Sequence, residues 1–368
     1  VRDPSGLEKS IRSHLEAENA HADAAMRSTR KLQDLLFKEM KARIKEDDSS
    51  VPSPDGPWSY FVSYKHGRQY PMTCRQPRAG GPAEVLLDAN ALAKGRSYFD
   101  LGGTSHSPDH ALLAYAYDDK GSEFYKVHIR DLATGKDLAD EIHDTRGDVV
   151  WAQDSQTFFW TWLDPNHRPV KVFRHRLGTP QSEDVLVYEE SNPSFFVSLG
   201  TTQSNAFILI TAGDHETSEA RLIDAARPTS RPRLIARRKK GVRYDVEHLP
   251  AGAGKAGQDH LILLTNADGA EDFKIVEAPL SSPGSKNWRD IEPHKPGRLI
   301  IDITVFKGHL ARIEREGGLP RIVIRRWADE QEHAIAFKEE AYGLGMSSGF
   351  EFDTTALRFS YSSMTTPG

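Results

Sequence analysis

Several short stretches of this chain carry residue types that do chemistry when their surroundings allow it. Gly345-Met346-Ser347-Ser348-Gly349 fits G-x-S-x-G, the turn that presents a nucleophilic serine in α/β-hydrolases. That turn works between a buried strand and a helix, so that the hydroxyl is lifted clear and the helix N-terminus supports the oxyanion. Here Phe350-Glu351-Phe352-Asp353 leads straight into a strand-like run, and no histidine follows His333 to complete the order Ser, Asp, His. Ser347 is therefore read as part of a loop. Gly252-Ala253-Gly254-Lys255-Ala256-Gly257 spells G-x-G-x-x-G, but it lies between two strand-like runs, with no helix start to receive a phosphate. His215-Glu216-Thr217-Ser218-Glu219 lacks the second histidine of a zincin helix, and Arg237-Arg238-Lys239-Lys240 has no interleaved aromatics for nucleic acid. His14 and His21 are seven apart on a helical stretch without a nearby third ligand. No catalytic, cofactor-binding or metal-binding residue is expected from these motifs.

Composition narrows the function classes further. Of 368 residues, 38% are hydrophobic and 27% charged, which suffices for a sizeable core. The formal net charge of −5 argues against bulk nucleic-acid binding. Ala206 to Ala212 is the longest largely apolar run, far below the ~20 residues of a membrane-spanning helix, so no membrane partner is expected. The single cysteine, Cys74, excludes an internal disulfide and favours a reducing, cytoplasmic setting. The opening Val1-Arg2-Asp3-Pro4 reads as a processed or trimmed product.

Any chemistry must be positioned by elements of two kinds. Leu7, Ile11 and Leu15, then Leu32, Leu35, Leu36, Met40 and Ile44, recur at helical spacing. The proline-rich stretch Glu46 to Pro57 ends that pattern. Beyond it come strand-like runs at Trp58–Tyr64, Ala111–Tyr117, Phe158–Leu163, Ala206–Thr211, Leu261–Thr265, His309–Ile313 and Leu357–Tyr361. Turn residues precede them at Asp55, Asp109, Asp154, Ser204, Asp259, Gly308 and Asp353, separated by 54, 45, 50, 55, 49 and 45 residues. A strand-only repeat of that period predicts a mainly all-β, seven-bladed β-propeller; a pair of β-sandwiches is the competing fold. The predicted organisation is a helical segment at 1–48, a linker or hinge at 49–57 and the propeller at 58–368. Too few residues follow Asp353 for four strands, so the last blade is read as incomplete and the chain as cut from something longer.

The segments HLEAENAH (14–21), LFKEMKARIKEDDSSVP (36–52), GRQYPMTCRQP (67–77), FRHRLGTPQSEDVLVYEESNPSFFVSL (173–199), TSEARLIDA (217–225) and LRFSYSSMTTPG (357–368) carry a further signal. In these the chain resembles the non-catalytic part of the prolyl oligopeptidase family of serine peptidases, most closely its oligopeptidase B (protease II) group. The resemblance implies a seven-bladed propeller preceded by a helical segment that packs toward an α/β-hydrolase domain, which is absent from this chain. It implies that the Ser, Asp and His triad lies beyond Gly368, together with the acidic residues that receive an Arg or Lys side chain. It implies no cofactor. Partners would be short peptides with basic residues and the parent's own hydrolase domain, under a propeller acting as a size-selective lid. The alternative is a standalone propeller serving as a protein-interaction scaffold. Unpaired edges at the incomplete blade suggest a homo-oligomer.

Overall fold

The structure, a computed structural model, describes residues 6–254 and 257–366. Its strands pair antiparallel with their sequence neighbours in six sheets, and one sheet of seven strands bends into two blades. That sheet is continuous because a single strand, Asp137–Trp151, serves both: Tyr125 pairs with Thr145 on one side, and Phe158 pairs with Trp151 on the other. Six sheets thus make seven blades.

Blade 1 is built on Trp58–Tyr64, Met72–Pro77 and Glu84–Asp88, with Asp48–Ser49 and Ser53–Asp55 both paired to Trp58–Tyr64. Blade 2 comprises Asp100–His106, Leu112–Asp118, Tyr125–Asp131 and the start of the long strand. Blade 3 takes the end of that strand with Thr157–Leu163, Pro169–Arg176 and Val185–Glu189. Blade 4 starts at Phe196–Thr201, blade 5 at Tyr244–Leu249 and blade 6 at Arg298–Val305, each a four-stranded sheet. Blade 7 has two strands among the described residues, Tyr342–Ser347 and Arg358–Ser363.

Sequence explains why the second strands of blades 2 and 3 are the most buried of their sheets. In Leu112–Asp118 every residue is buried, and in Thr157–Leu163 all but Trp162 are. Such strands are packed on both faces by neighbouring blades, so they read as continuous apolar runs rather than alternating ones. Trp151, Phe158 and Trp160 of blade 3 meet Ala114, Val127 and Ile142 of blade 2 in one cluster. Removing a ring as buried as Phe158 costs about 3–5 kcal/mol. Equivalent clusters join blades 1 and 2, 3 and 4, 4 and 5, and 5 and 6. Blades 7 and 1 meet through polar groups: Arg358 donates to the carbonyls of Pro52 and Val51 at 2.9 and 2.6 Å, and Arg78 pairs with Glu351.

The turn residues seen in the sequence have a common geometry in the first four blades. Asp55, Asp109, Asp154 and Ser204 each precede a residue in the left-handed region: Gly56 (φ 54), His110 (φ 61), Ser155 (φ 53) and Asn205 (φ 55). Two of the Asp side chains hold their turns: Asp109 accepts from the amide of Ala111, and Asp154 from those of Gln156 and Thr157. In blade 7 the pattern departs from expectation, because the strand begins at Arg358 and a long loop separates it from Ser347.

Two other features differ from the sequence reading. The stretch read as a linker contains the strands Asp48–Ser49 and Ser53–Asp55. Pro54 is tolerated there because a strand at the sheet edge needs no donor on its open side, and Pro52 lies between the two strands. The helical segment is α1 (Lys9–Met26) and α2 (Arg30–Ala42), divided by a 3₁₀ turn at Arg27–Thr29. The Thr29 hydroxyl donates to the Met26 carbonyl at 2.8 Å at that division. No residue of α1 or α2 is buried; Leu32, Leu35, Leu36 and Met40 form an exposed apolar stripe. Among the described residues no helix is long and apolar enough to cross a membrane.

Candidate functional site

The first strands of the blades line a channel along the ring axis, because the later strands of each sheet lie progressively farther out. One cavity there, of about 830 Å³, is walled by residues of blades 1, 2, 3, 4, 5 and 7, among them Tyr60, His106, Trp151, Gln203, Glu247 and Phe350. A second, of about 490 Å³, shares Thr104, Ser105, Val149 and Val150 with it and reaches Arg146 and Asp148.

The wall is acidic on the arc formed by blades 3, 5 and 6. Burial raises the Glu247 carboxyl to about 8, with the Asp302 charge adding to the rise and the Gln203 amide, 2.8 Å away, opposing it. Asp245 and Asp302 are also raised by burial, and Asp245 adds like charge against Asp302. Both keep accessible surface, which moderates that rise. Asp148 is raised by burial against the 2.7 Å hydrogen bond from Thr161, and its Oδ1 is buried without a hydrogen-bond partner. Arg146 and Arg243 partly offset the rise at Asp148 and Asp245, and a cation entering beside these groups would lower their proton affinity further.

All first strands run in one direction, so their following turns gather at one mouth of the channel. A strap from blade 7, Ser348–Asp353, crosses it. Gln203 donates to the carbonyls of Ser348 and Glu351 at 3.2 and 3.1 Å, and Asn205 to that of Phe350 at 3.4 Å. The Lys307 amide donates to the Phe352 carbonyl at 3.1 Å. The Phe350 ring stands edge-on to His106 at 4.9 Å and Tyr60 at 5.9 Å. Blades 1, 2, 4 and 6 therefore hold one loop of blade 7.

This architecture has close counterparts. The profile of the prolyl oligopeptidase N-terminal beta-propeller domain matches residues 1–368. The chain belongs to the prolyl oligopeptidase family. It is 36% identical to dipeptidyl aminopeptidase BI of Pseudoxanthomonas mexicana over 100% of its own length and 52% of that protein. It is 29% identical to Protease 2 of Moraxella lacunata, covering 96% of this chain and 51% of that protein. Among solved structures, oligopeptidase B of Leishmania major superposes with a TM-score of 0.91 at 28% identity, over 98% of this chain and 52% of that one. Oligopeptidase B of Trypanosoma brucei, carrying covalently bound antipain in a closed form, gives 0.89 at 30% identity, over 99% and 52%. The chain spans about half the length of the curated relatives it matches.

Within this member of the prolyl oligopeptidase family, the motifs singled out in the sequence have structural roles. Ser347 ends the strand Tyr342–Ser347, and Ser348 and Gly349 begin the strap; no helix follows. The G-x-G-x-x-G glycines fall in the turns after Tyr244–Leu249, with Lys255 and Ala256 outside the described residues. Gly254 lies against Trp327, where a Cβ would come within 2.4 Å of that residue's Cβ, so packing accounts for the glycine. His215 and Glu216 sit in a hairpin turn held by Asp214. Arg238 of the basic run pairs with Glu190 and Glu219 at 2.6 and 2.8 Å and stacks on Phe195. His14 and His21 lie exposed on α1, and Cys74 is buried, its thiol pushed up by burial.

One array in the described residues has the composition of a triad. Ser204 Oγ lies 2.9 Å from His248 Nδ1, while His248 Nε2 is 3.8 Å from Asp259. That last distance is no hydrogen bond, and His248 Nε2 has no partner, so nothing orients the imidazole as a base. Ser204 also borders Thr202 Oγ1 at 3.0 Å in its own turn and does not line the channel. It is a turn hydroxyl. The channel carboxylates and the histidines at the mouth were missed because no local motif marks them. Superimposing Ser53-Pro54-Asp55-Gly56 on Ser107-Pro108-Asp109-His110 would have brought the mouth residues together.

Proposed function

We propose that this chain is the propeller portion of a serine oligopeptidase that hydrolyses short peptides after Arg or Lys. The propeller serves as a size-selective cover over a hydrolase site carried elsewhere in the parent protein. The observation that carries the reading is the acidic channel arc, Asp148, Asp245, Glu247 and Asp302, in a fold that superposes on two oligopeptidase B structures over nearly its full length. Exclusion by the ring gives selection by size, and the parting of the two domains would gate entry. The exposed stripe of Leu32, Leu35, Leu36 and Met40 suits docking against the hydrolase domain. The open edge of Arg358–Ser363 would favour self-association in the isolated chain, which light scattering reads as a mass above one chain.

The parent protein should cleave an Arg-ended chromogenic peptide in preference to a Pro-ended one, and this chain alone should cleave neither. Preference for the Pro-ended peptide refutes the assignment. A second reading, removal of N-terminal dipeptides, is favoured by the 36% identity to dipeptidyl aminopeptidase BI. A free-amine dipeptide substrate compared with its N-blocked form separates the two, since only an endopeptidase tolerates the block. A standalone scaffold is not favoured by relatives named as peptidases.

A further inference from the structure

We propose that Asp55, His106 and His110 form a binding site for a divalent transition-metal ion of the zinc or cobalt class, at the channel mouth where blade 1 meets blade 2. One ligand atom from each of the three residues lies within 4.8 Å of the others. A four-coordinate zinc site with bonds of about 2.0–2.2 Å separates neighbouring donors by roughly 3.3 Å, so small side-chain rotations close the set. His106 Nε2 is already 2.7 Å from Asp55 Oδ2, across the position where an ion would replace the shared proton. Two neutral imidazoles and one carboxylate leave a single negative charge toward the cation, the donor chemistry that suits zinc, cobalt and nickel.

The third donor is presented by an unusual backbone. His110 occupies the left-handed position that glycine fills in the matching turn of blade 1, and Arg75 fixes it by donating to its carbonyl at 2.6 Å. Its Nε2 faces Gly56: a Cβ there would stand 2.9 Å from that nitrogen. The missing side chain at 56 leaves open the space next to Asp55 into which the ring nitrogen points.

Support behind the ligands is also in place. His110 Nδ1 lies 2.8 Å from the Tyr60 hydroxyl, and that ring nitrogen would donate to the hydroxyl oxygen when Nε2 holds a metal. The Tyr60 ring lies parallel to His106 at 3.8 Å, with Phe350 edge-on to the same imidazole. Asp55, Tyr60 and His106 border the larger cavity, which supplies water to a remaining coordination position. Bound there, the ion would tie residue 55 of blade 1 to residues 106 and 110 of blade 2, directly beneath the strap.

The test uses the purified 368-residue protein, stripped of metal and titrated with Co²⁺. The expected result is a visible ligand-field spectrum that saturates at one ion per chain and is abolished by competing Zn²⁺, with a zinc-dependent rise in Tm. Asp55→Asn and His110→Asn should abolish the spectrum; asparagine accepts the left-handed backbone, and circular dichroism without metal checks the fold. Tyr60→Phe should weaken affinity roughly 10- to 100-fold, the usual cost of losing an outer-shell partner. Replacing His14 and His21 with alanine should change nothing. X-ray absorption at the zinc edge of the wild-type protein needs no variant and should report two imidazoles. No ligand-field spectrum, unchanged binding in both ligand variants, or an all-oxygen shell would each overturn the proposal.

Discussion

Arg238 clamps two blades, and replacing it with methionine should be among the most destabilising single changes in the ring. Its guanidinium bridges Glu190, after the outer strand of blade 3, and Glu219, inside blade 4, whose side chains are only 4% and 7% exposed. Burial by itself would raise the Glu219 carboxyl, yet hydrogen bonds from Arg238 and Arg221 hold it at about 2 against an ordinary 4.5. That difference corresponds to about 3 kcal/mol at neutral pH. The raised proton affinity of Arg238 is the same interaction viewed from its partner and adds nothing further. Orphaning a buried carboxylate costs about 3–5 kcal/mol. Here the lower end applies, because Glu219 keeps Arg221, and Glu190 keeps the Tyr188 hydroxyl and the Asn192 amide, each at 2.8 Å. Methionine preserves most of the packing on Phe195, so the loss is chiefly electrostatic. Urea unfolding followed by tryptophan fluorescence should show a deficit of about 3 kcal/mol at pH 7. For a carboxyl with a lowered folded pKa, the contribution is complete above the unfolded value and vanishes as pH falls toward the folded one. The deficit should therefore narrow below pH 4.5, on the way to about 2. A gap under about 1 kcal/mol at pH 7, the size of an exposed ion pair, would refute the reasoning, as would a gap unchanged down to pH 3.

Three further outcomes are expected. Glu247 titrates at about 8, so the native state keeps a proton that the unfolded chain releases near 4.5, and stability falls as pH rises between those values. Glu247→Gln should then gain Tm over wild type progressively from pH 5 to pH 8, and a pH-independent difference would contradict this. Gln203→Ala removes the bonds to Ser348 and Glu351 and should speed hydrogen exchange in 348–353 at least several-fold without altering the blade cores; unchanged exchange would mean the strap is held otherwise. Neither Ser347→Ala nor Ser204→Ala should alter labelling by a fluorophosphonate probe or the hydrolysis of any peptide, and loss of labelling in either would reinstate that serine as a nucleophile.

The sequence made the blades legible and left the channel dark, for a physical reason. Strands such as Thr157–Leu163 announce themselves because burial on both faces demands an apolar run, and Asp154 announces its turn because its side chain caps the following amides. These are local requirements. The acidic arc is not local: Asp148, Asp245, Glu247 and Asp302 lie on three blades and converge only when the ring closes. Asp55, His106 and His110 likewise come from adjacent blades, and the left-handed backbone of His110 shows in sequence only when its turn is set against Ser53-Pro54-Asp55-Gly56. The edge strand Ser53–Asp55 was hidden by Pro54 and the neighbouring Pro52, residues ordinarily read as breakers.

The strand Asp137–Trp151, shared by two sheets, has a mechanical consequence. The other junctions between neighbouring blades rest on side-chain packing and isolated backbone hydrogen bonds such as Lys307 to Phe352, whereas blades 2 and 3 are sewn into one fabric by a continuous backbone ladder. Pulled from its ends or loosened by heat, the ring should yield elsewhere first and keep this pair together as a single block.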